Sequence, residues 1–168
     1  MSEGNIVLIG MPGSGKSTIG VILAKVMSMR FIDTDVLIQV QEGRSLQEII
    51  DSKGLEAFLC IEERTVLSLA CTKTVIATGG SVVYSRRAME HLGSSGTIIH
   101  LDLSLDLIEK RLKNFANRGV VRRPGQCLSE LYNERVPLYR RYAEIDVDCS
   151  GKNHEEVISA ILSAMRGG

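Results

Sequence analysis

Aromatic residues are scarce in this 168-residue sequence, which has no tryptophan and only 4% phenylalanine and tyrosine together. Proteins that bind single-stranded nucleic acid stack bases on aromatic side chains set among basic ones, and such a surface is not expected here. Net charge is also lacking, since 20 lysines and arginines balance 20 aspartates and glutamates. Without an overall basic field, neither a nucleic acid nor a membrane is the expected partner.

Long hydrophobic runs are absent as well. No stretch approaches the ~20 apolar residues that span a bilayer, and the start Met-Ser-Glu-Gly-Asn does not resemble a secretory leader. We therefore expect a soluble, cytoplasmic protein, monomeric and acting on a small molecule. The four cysteines lack C-x-x-C spacing, so we expect buried reduced thiols rather than a zinc site or disulfides (Cys60, Cys71, Cys127 and Cys149).

Short β-branched runs alternate with amphipathic stretches, a pattern typical of a single α/β domain with a parallel sheet. The pattern predicts strands near 5–9, 29–32, 74–78, 97–101 and 145–148. It predicts helices near 16–28, 36–42, 45–52, 55–70, 85–92, 104–113, 128–143 and 153–166. Residues 114–127 interrupt the pattern with glycines, a proline and several arginines, so this segment is predicted to be a mobile lid.

The strongest functional signal is Gly-Met-Pro-Gly-Ser-Gly-Lys-Ser at residues 10–17, which fits G-x-x-x-x-G-K-[ST]. It follows an apolar run and precedes a helical segment, as a phosphate-binding P-loop does. Glycines let the backbone N–H groups turn onto an anion, and the helix N-terminus favours negative charge. Lys16 would contact the β- and γ-phosphates and Ser17 would bind Mg²⁺. The alternative is a glycine-rich turn with no ligand.

Two carboxylates follow the second predicted strand. Asp33 and Asp35 stand at alternate positions just past its end, where side chains can point to the same side. Asp33 would attend to Mg²⁺, because strand 74–78 carries no acid for that role, and Asp35 would accept a proton or hydrogen bond from a substrate hydroxyl. The alternative for Asp35 is an N-cap of a helix beginning at Val36.

Two further features suit a phosphoryl-transfer site. Thr78-Gly79-Gly80-Ser81 places bare backbone at the carboxyl edge of the sheet, where Gly80 could donate its N–H to substrate; a tight turn is the alternative. Basic residues outnumber acidic ones between 110 and 141, which suits closure over a polyphosphate, although solvated helix faces account for some of them. They are Lys110, Arg111, Lys113, Arg118, Arg122, Arg123, Arg135, Arg140 and Arg141, against Glu130 and Glu134.

Together these residues resemble the shikimate kinase family of small P-loop kinases, over nearly the whole chain. The resemblance rests on the P-loop at 10–20, D-T-D at 33–35, G-R-S at 43–45, F-x-x-I-E-E at 58–63, T-G-G at 78–80 and R-V-P-L-Y at 135–139. It implies a three-layer α/β fold whose five-stranded parallel sheet has the order 2-3-1-4-5 and is flanked by helices. It also implies transfer of the γ-phosphoryl group of Mg·ATP to a hydroxyl of shikimate.

The resemblance further implies a set of site residues. ATP would be held by Gly13, Ser14, Gly15, Lys16, Ser17 and Thr18, by Arg118 in the lid and by Lys152 near the adenine. Asp35, Gly80 and Arg135 would contact the substrate. Lys16, Asp35 and Arg118 would be catalytic, and Ser17 and Asp33 would hold the metal. By position, Arg118 is favoured over Arg122 and Arg123 as the lid arginine.

Three features depart from the family pattern. Leu59 stands where family members usually carry the arginine that pairs with the shikimate carboxylate, and Ser81 stands at the third glycine. The lid reads Arg118-Gly119-Val120-Val121 where the family usually has Arg-Pro-Leu-Leu. The loss of a buried arginine–carboxylate pair costs roughly 10²-fold in affinity. A kinase of another polyol, cyclitol or amino alcohol such as homoserine is therefore the alternative, and an inactive ATP-binding regulator is a second one, which the intact Lys16 and Asp35 argue against.

Overall fold

The computed structural model describes residues 4–113 and 120–167. Five parallel strands form one sheet in the order β2-β3-β1-β4-β5, which confirms the predicted order. The strands are β1 (Asn5–Ile9), β2 (Arg30–Asp33), β3 (Thr74–Ala77), β4 (Gly96–Asp102) and β5 (Ile145–Asp148). Central strand β1 is fully buried, and its Val7 lies opposite Ile76 of β3 and Ile98 of β4.

Helices flank the sheet. They are α1 (Lys16–Met27), α2 (Thr34–Glu42), α3 (Leu46–Lys53), α4 (Leu55–Leu67), α5 (Arg86–Ser95), α6 (Leu105–Lys113), α7 (Leu128–Tyr142) and α8 (His154–Gly167). Helices α1 and α8 pack against each other and the sheet, whereas α5 and α7 contact it through β4. Both faces of a parallel sheet are covered in α/β proteins, which is why its strands are continuous apolar runs.

Element boundaries differ from the predicted ones by a few residues. Helix α2 begins at Thr34 rather than 36, because the Asp33 carboxylate accepts from the amides of Asp35 and Val36. The alternative in which Asp35 caps this helix is therefore wrong. A short 3₁₀ turn at Val82–Tyr84, which the pattern did not predict, follows β3.

The core has two parts. The larger part surrounds β1, β3 and β4. A smaller cluster joins α2, α3 and α4 to the segment after α6: it contains Ile38, Ile49, Phe58, Ile61 and Val121, with Leu59 packed against its edge. Burial of Val121 here anchors one end of segment 120–127 to the helices that surround the site.

The predicted lid is described only from residue 120 onward. Residues 114–119, which include Arg118, lie outside the described ranges. Residues 120–127 form no helix or strand.

All four cysteines are free thiols, but only Cys149 is buried as expected. Cys71 is half-buried, and the expectation of burial is wrong for Cys60 and Cys127, which are exposed. Cys60 lies on the outer side of α4 and Cys127 at the start of α7, so apolar sequence neighbours did not reveal their environment. Among the helices of the described residues, none has the length and apolarity to cross a membrane.

Candidate active site

The carboxyl ends of β1, β2 and β3 open into a cavity of about 450 Å³, a size typical of small-molecule sites. Five segments line it: the P-loop and the start of α1, the β2–α2 junction with the first turns of α2, residues 45–47 at the start of α3, residues 78–81 and residues 120–121. Arg135 of α7 completes the wall. The sequence motifs that lie far apart along the chain therefore meet at one edge of the sheet, as in other open α/β folds.

Glycines shape the P-loop. Gly13 and Gly15 have φ angles of 82° and 99°, a conformation that favours glycine, and Gly15 directly precedes α1. A Cβ on Gly10 would lie 2.8 Å from the carbonyl oxygen of Leu101. The loop thus has the cradle shape that presents backbone N–H groups to an anion.

Lys16 lies beneath this loop and is 8% exposed. Its Nζ donates to the carbonyl oxygens of Gly10 and Met11 at 2.7 and 2.9 Å. Burial lowers the pKa of Lys16 to about 8, against the opposing effect of the nearby Asp35 carboxylate. The ammonium group of Lys16 is therefore buried and held against the backbone of the P-loop.

Ser17 and Asp33 meet across α1 and β2. The Ser17 hydroxyl donates to Asp33 Oδ2 at 2.5 Å, while the other carboxylate oxygen caps α2. A hydroxyl and a carboxylate are hard oxygen ligands, and Mg²⁺ commonly takes one or two such protein groups, with waters and phosphate oxygens as its other ligands. The described residues contain no cluster of three acidic, histidine or cysteine ligands, so an ion here would need such outside ligands.

Asp35 and Glu62 face each other across Gly79. A Cβ on Gly79 would overlap Glu62 Oε1 and lie 2.6 Å from Asp35 Oδ1, so an added methyl group would require these carboxylates to shift. Burial, reinforced by Asp33, raises the pKa of Asp35 to about 6. Burial and the Asp35 charge raise the pKa of Glu62 to about 8. Of these two carboxyl groups, Asp35 therefore loses its proton first as the pH rises, and its charge favours the protonated form of Glu62.

Sequence reasoning did not assign a role to Glu62 or to its partner. The Ser81 hydroxyl donates to Glu62 Oε2 at 2.7 Å, and both side chains are buried. Within the described ranges Glu62 Oε1 has no hydrogen-bond partner. The sequence did carry a signal for this contact: serine replaces the family's third glycine at position 81, and its hydroxyl is the group that donates to Glu62.

Arg135 is the largest fully buried side chain, at 1% exposure. Its Nη2 donates to the carbonyl oxygen of Val121, and its Nε donates to the Tyr84 hydroxyl at 3.1 Å. Its Nη1 has no partner among the described residues, and a Cβ on Gly80 would lie 3.0 Å from it. A buried guanidinium nitrogen without an acceptor is a strong donor for an anionic ligand.

Two basic residues that do not line the cavity make polar contacts. Lys152, placed near adenine by resemblance, does not line the cavity; its Nζ lies 3.8 Å from Asp148 on the surface. Arg111 of α6, which was counted only as part of the basic bias, donates from Nη1 to the carbonyl oxygen of Gly13 at 3.0 Å. Its position beside the P-loop follows from the sheet order, which brings the helix after β4 next to β1.

Comparison with known proteins places this geometry in a family. The family model for shikimate kinase matches residues 12–166. The chain belongs to the shikimate kinase family. A shikimate kinase from Rippkaea orientalis is 38% identical over 164 residues, which cover 96% of this chain and 87% of that protein.

Solved structures of the family agree in fold. The shikimate kinase from Acinetobacter baumannii in complex with shikimate matches with a TM-score of 0.91 and 27% identity, over 99% of this chain and 94% of that one. The enzyme from Aquifex aeolicus matches with a TM-score of 0.82 and 33% identity, over 97% and 96% of the two chains. The fold predicted from the resemblance is thereby confirmed.

The departure at Leu59 also has a structural position. Leu59 is half-buried on α4 against the smaller apolar cluster and is not among the residues that line the cavity. It lies one turn before Glu62 on the same helix, so the two side chains occupy neighbouring positions on its surface. The surface of α4 beside Glu62 therefore carries a leucine at the position where the family pattern has an arginine.

Proposed function

We propose that this protein is a shikimate kinase that transfers the γ-phosphoryl group of ATP to a hydroxyl of shikimate. The observation that carries the proposal is the convergence of three groups in one cavity: the buried Lys16 of the P-loop, the Asp35 carboxylate, and the unpartnered Nη1 of Arg135. These provide a cation for phosphates, an acceptor for a hydroxyl proton, and a donor for a carboxylate. Family membership supports the same reaction.

The P-loop is suited to the nucleotide. Residues 13–18 would surround the phosphates with backbone N–H groups, and Lys16 would exchange its contacts with Gly10 and Met11 for phosphate oxygens. Ser17 and Asp33 would hold Mg²⁺, whose chemistry in such a site is to neutralise charge on the β- and γ-phosphates. Arg111 would add a further positive charge beside Gly13.

The opposite end of the cavity is suited to the acceptor. Asp35 would orient the reacting hydroxyl and accept its proton, since its pKa of about 6 leaves it largely ionised at pH 7. Arg135 Nη1 and the Gly80 backbone would bind the substrate carboxylate. Catalysis would thus consist of alignment and charge stabilisation, as is general for phosphoryl transfer.

Several features remain part of the proposal. Arg118, which lies outside the described residues, would reach the ATP phosphates from the lid. Lys152 would approach the adenine, although its side chain is turned to Asp148. The lid at 114–127 would exclude water and limit ATP hydrolysis. We expect the enzyme to act as a cytoplasmic monomer.

A coupled ADP-release assay tests the function. Shikimate would be compared with quinate-like cyclitols, polyols and homoserine at matched concentrations, with Lys16→Met as the inactive control. We expect shikimate to give the highest kcat/KM. A kcat/KM about tenfold higher for a different acceptor would favour the alternative suggested by Leu59, a kinase of another small hydroxylated molecule. If none of the acceptors causes ADP release, the proposal is rejected.

A further inference from the structure

Arg135 connects the acceptor end of the cavity to segment 120–127. Its three guanidinium nitrogens face three different places: Nη2 the Val121 carbonyl oxygen, Nε the Tyr84 hydroxyl, and Nη1 the cavity beside Gly80. The guanidinium is planar and rigid, so a movement that serves one of these contacts moves the other two. Ligand binding at Nη1 and the position of Val121 are therefore coupled through the Arg135 side chain.

Segment 120–127 is tied a second time, through Glu134. One Glu134 oxygen accepts from the Tyr84 hydroxyl at 2.5 Å, and the other accepts from Gln126 Nε2 at 3.0 Å and pairs with Arg123. The Tyr84 hydrogen bond and the Arg123 charge hold the pKa of Glu134 below its usual range. Glu134 thus joins the segment to the 3₁₀ turn after β3.

Tyr84 is the shared member of both connections. Its hydroxyl accepts from Arg135 Nε and donates to Glu134 Oε1, and the Arg135 guanidinium lies 5.1 Å from the centre of its ring. Tyr84 is 37% exposed, yet its hydroxyl both accepts and donates a hydrogen bond. No other hydroxyl of the described residues bonds to both Arg135 and Glu134.

From this arrangement the geometry points to a positioning role for Tyr84 and Glu134: they form a clasp that holds Arg135 and segment 120–127 in the arrangement that binds the acceptor carboxylate. The inference rests on the proposed function, because it takes Arg135 Nη1 as the carboxylate donor. In the Arg123–Glu134 pair Arg123 is exposed and Glu134 half-buried, so solvent screens the pair and it contributes little by itself. The larger effect comes from the orientation of the buried Arg135.

Tyr84→Phe removes the hydroxyl and retains the ring. We expect the Kd and KM for shikimate to rise about fivefold, since one hydrogen bond to a charged group is lost at a partly exposed position, while the KM for ATP stays within about twofold. Glu134→Gln keeps an acceptor for Tyr84 and removes the charge, so a smaller rise is expected. Tyr132→Phe is the matched control, because Tyr132 is a half-buried tyrosine of α7 outside the clasp.

Amide hydrogen exchange distinguishes this positioning role from a purely structural one, because only the positioning role links shikimate binding to protection of segment 120–127. The amides of Arg123 and Gln126 are hydrogen-bonded within the segment. We expect shikimate to slow their exchange in the parent and in Tyr132→Phe, and to slow it much less in Tyr84→Phe. Tyr84→Phe should also exchange faster without any ligand.

The outcomes separate the two proposals. Equal shikimate affinity and equal exchange of residues 120–127 in the parent and Tyr84→Phe would overturn the clasp. A parent that does not bind shikimate in calorimetry would overturn the proposed function instead. In that case the ligand-free exchange of the segment still decides whether Tyr84 holds it.

Discussion

The space at Gly79 offers a demanding test of the site geometry. Its φ angle is not in the left-handed region, so alanine is compatible with the backbone, and the only conflict is between the added methyl group and two carboxylates. A Cβ there would overlap Glu62 Oε1 and lie 2.6 Å from Asp35 Oδ1, where ordinary contact begins at 3.4 Å. To restore ordinary contact the Asp35 carboxylate must move by roughly 1 Å, and a misplacement of that size can cost ~10²-fold in rate.

We expect Gly79→Ala to lower kcat/KM for shikimate about 100-fold in the coupled assay and to lower the free energy of unfolding in urea by ~1–3 kcal/mol, as overpacking does. Gly93→Ala is the matched control. Its Cβ would meet nothing closer than 3.5 Å on α5, and alanine favours a helix by up to ~1 kcal/mol. Gly79→Ala activity within about threefold of the parent would refute the proposed role of Asp35 at this position.

Four further predictions follow from named contacts. Lys16→Met should abolish turnover with an unchanged circular dichroism spectrum, because the buried P-loop cation is lost; substantial remaining turnover would remove Lys16 from the mechanism. Asp35→Asn should lower kcat ~10²-fold or more, and kcat/KM of the parent should fall as the pH drops below about 6, where Asp35 takes up a proton; a flat acid limb would contradict the base assignment. Leu59→Arg should lower the KM for shikimate, whereas Cys60→Arg, on the exposed side of α4, should not; the same response in both would show only a general charge effect. Between its ordinary pKa of 4.5 and about 8, Glu62 binds more protons in the folded state than in the unfolded state, so the free energy of unfolding should fall as the pH rises through this range. Urea titrations at pH 5, 6.5 and 8 measure this decrease, which should be smaller in Glu62→Gln.

The sequence by itself determined the architecture and the nucleotide end of the site. Alternation of buried β-branched runs with amphipathic segments predicted the parallel sheet, and the G-x-x-x-x-G-K-S spacing predicted a loop whose residues are neighbours in the chain. Both are local patterns. The period of a strand or helix and the φ angles that glycine permits depend on adjacent residues and require no knowledge of the tertiary contacts.

Only the tertiary structure decided how distant residues share the acceptor end. Asp33, rather than Asp35, caps α2, because the last side chain of β2 lies where its carboxylate can accept from the first free amides of the helix. Ser81 meets Glu62 of another helix, and Arg135 meets a carbonyl group fourteen residues earlier. Such contacts depend on how distant segments pack in the folded protein. Burial also raises the pKa of Glu62, and the spacing of residues along the chain does not predict burial.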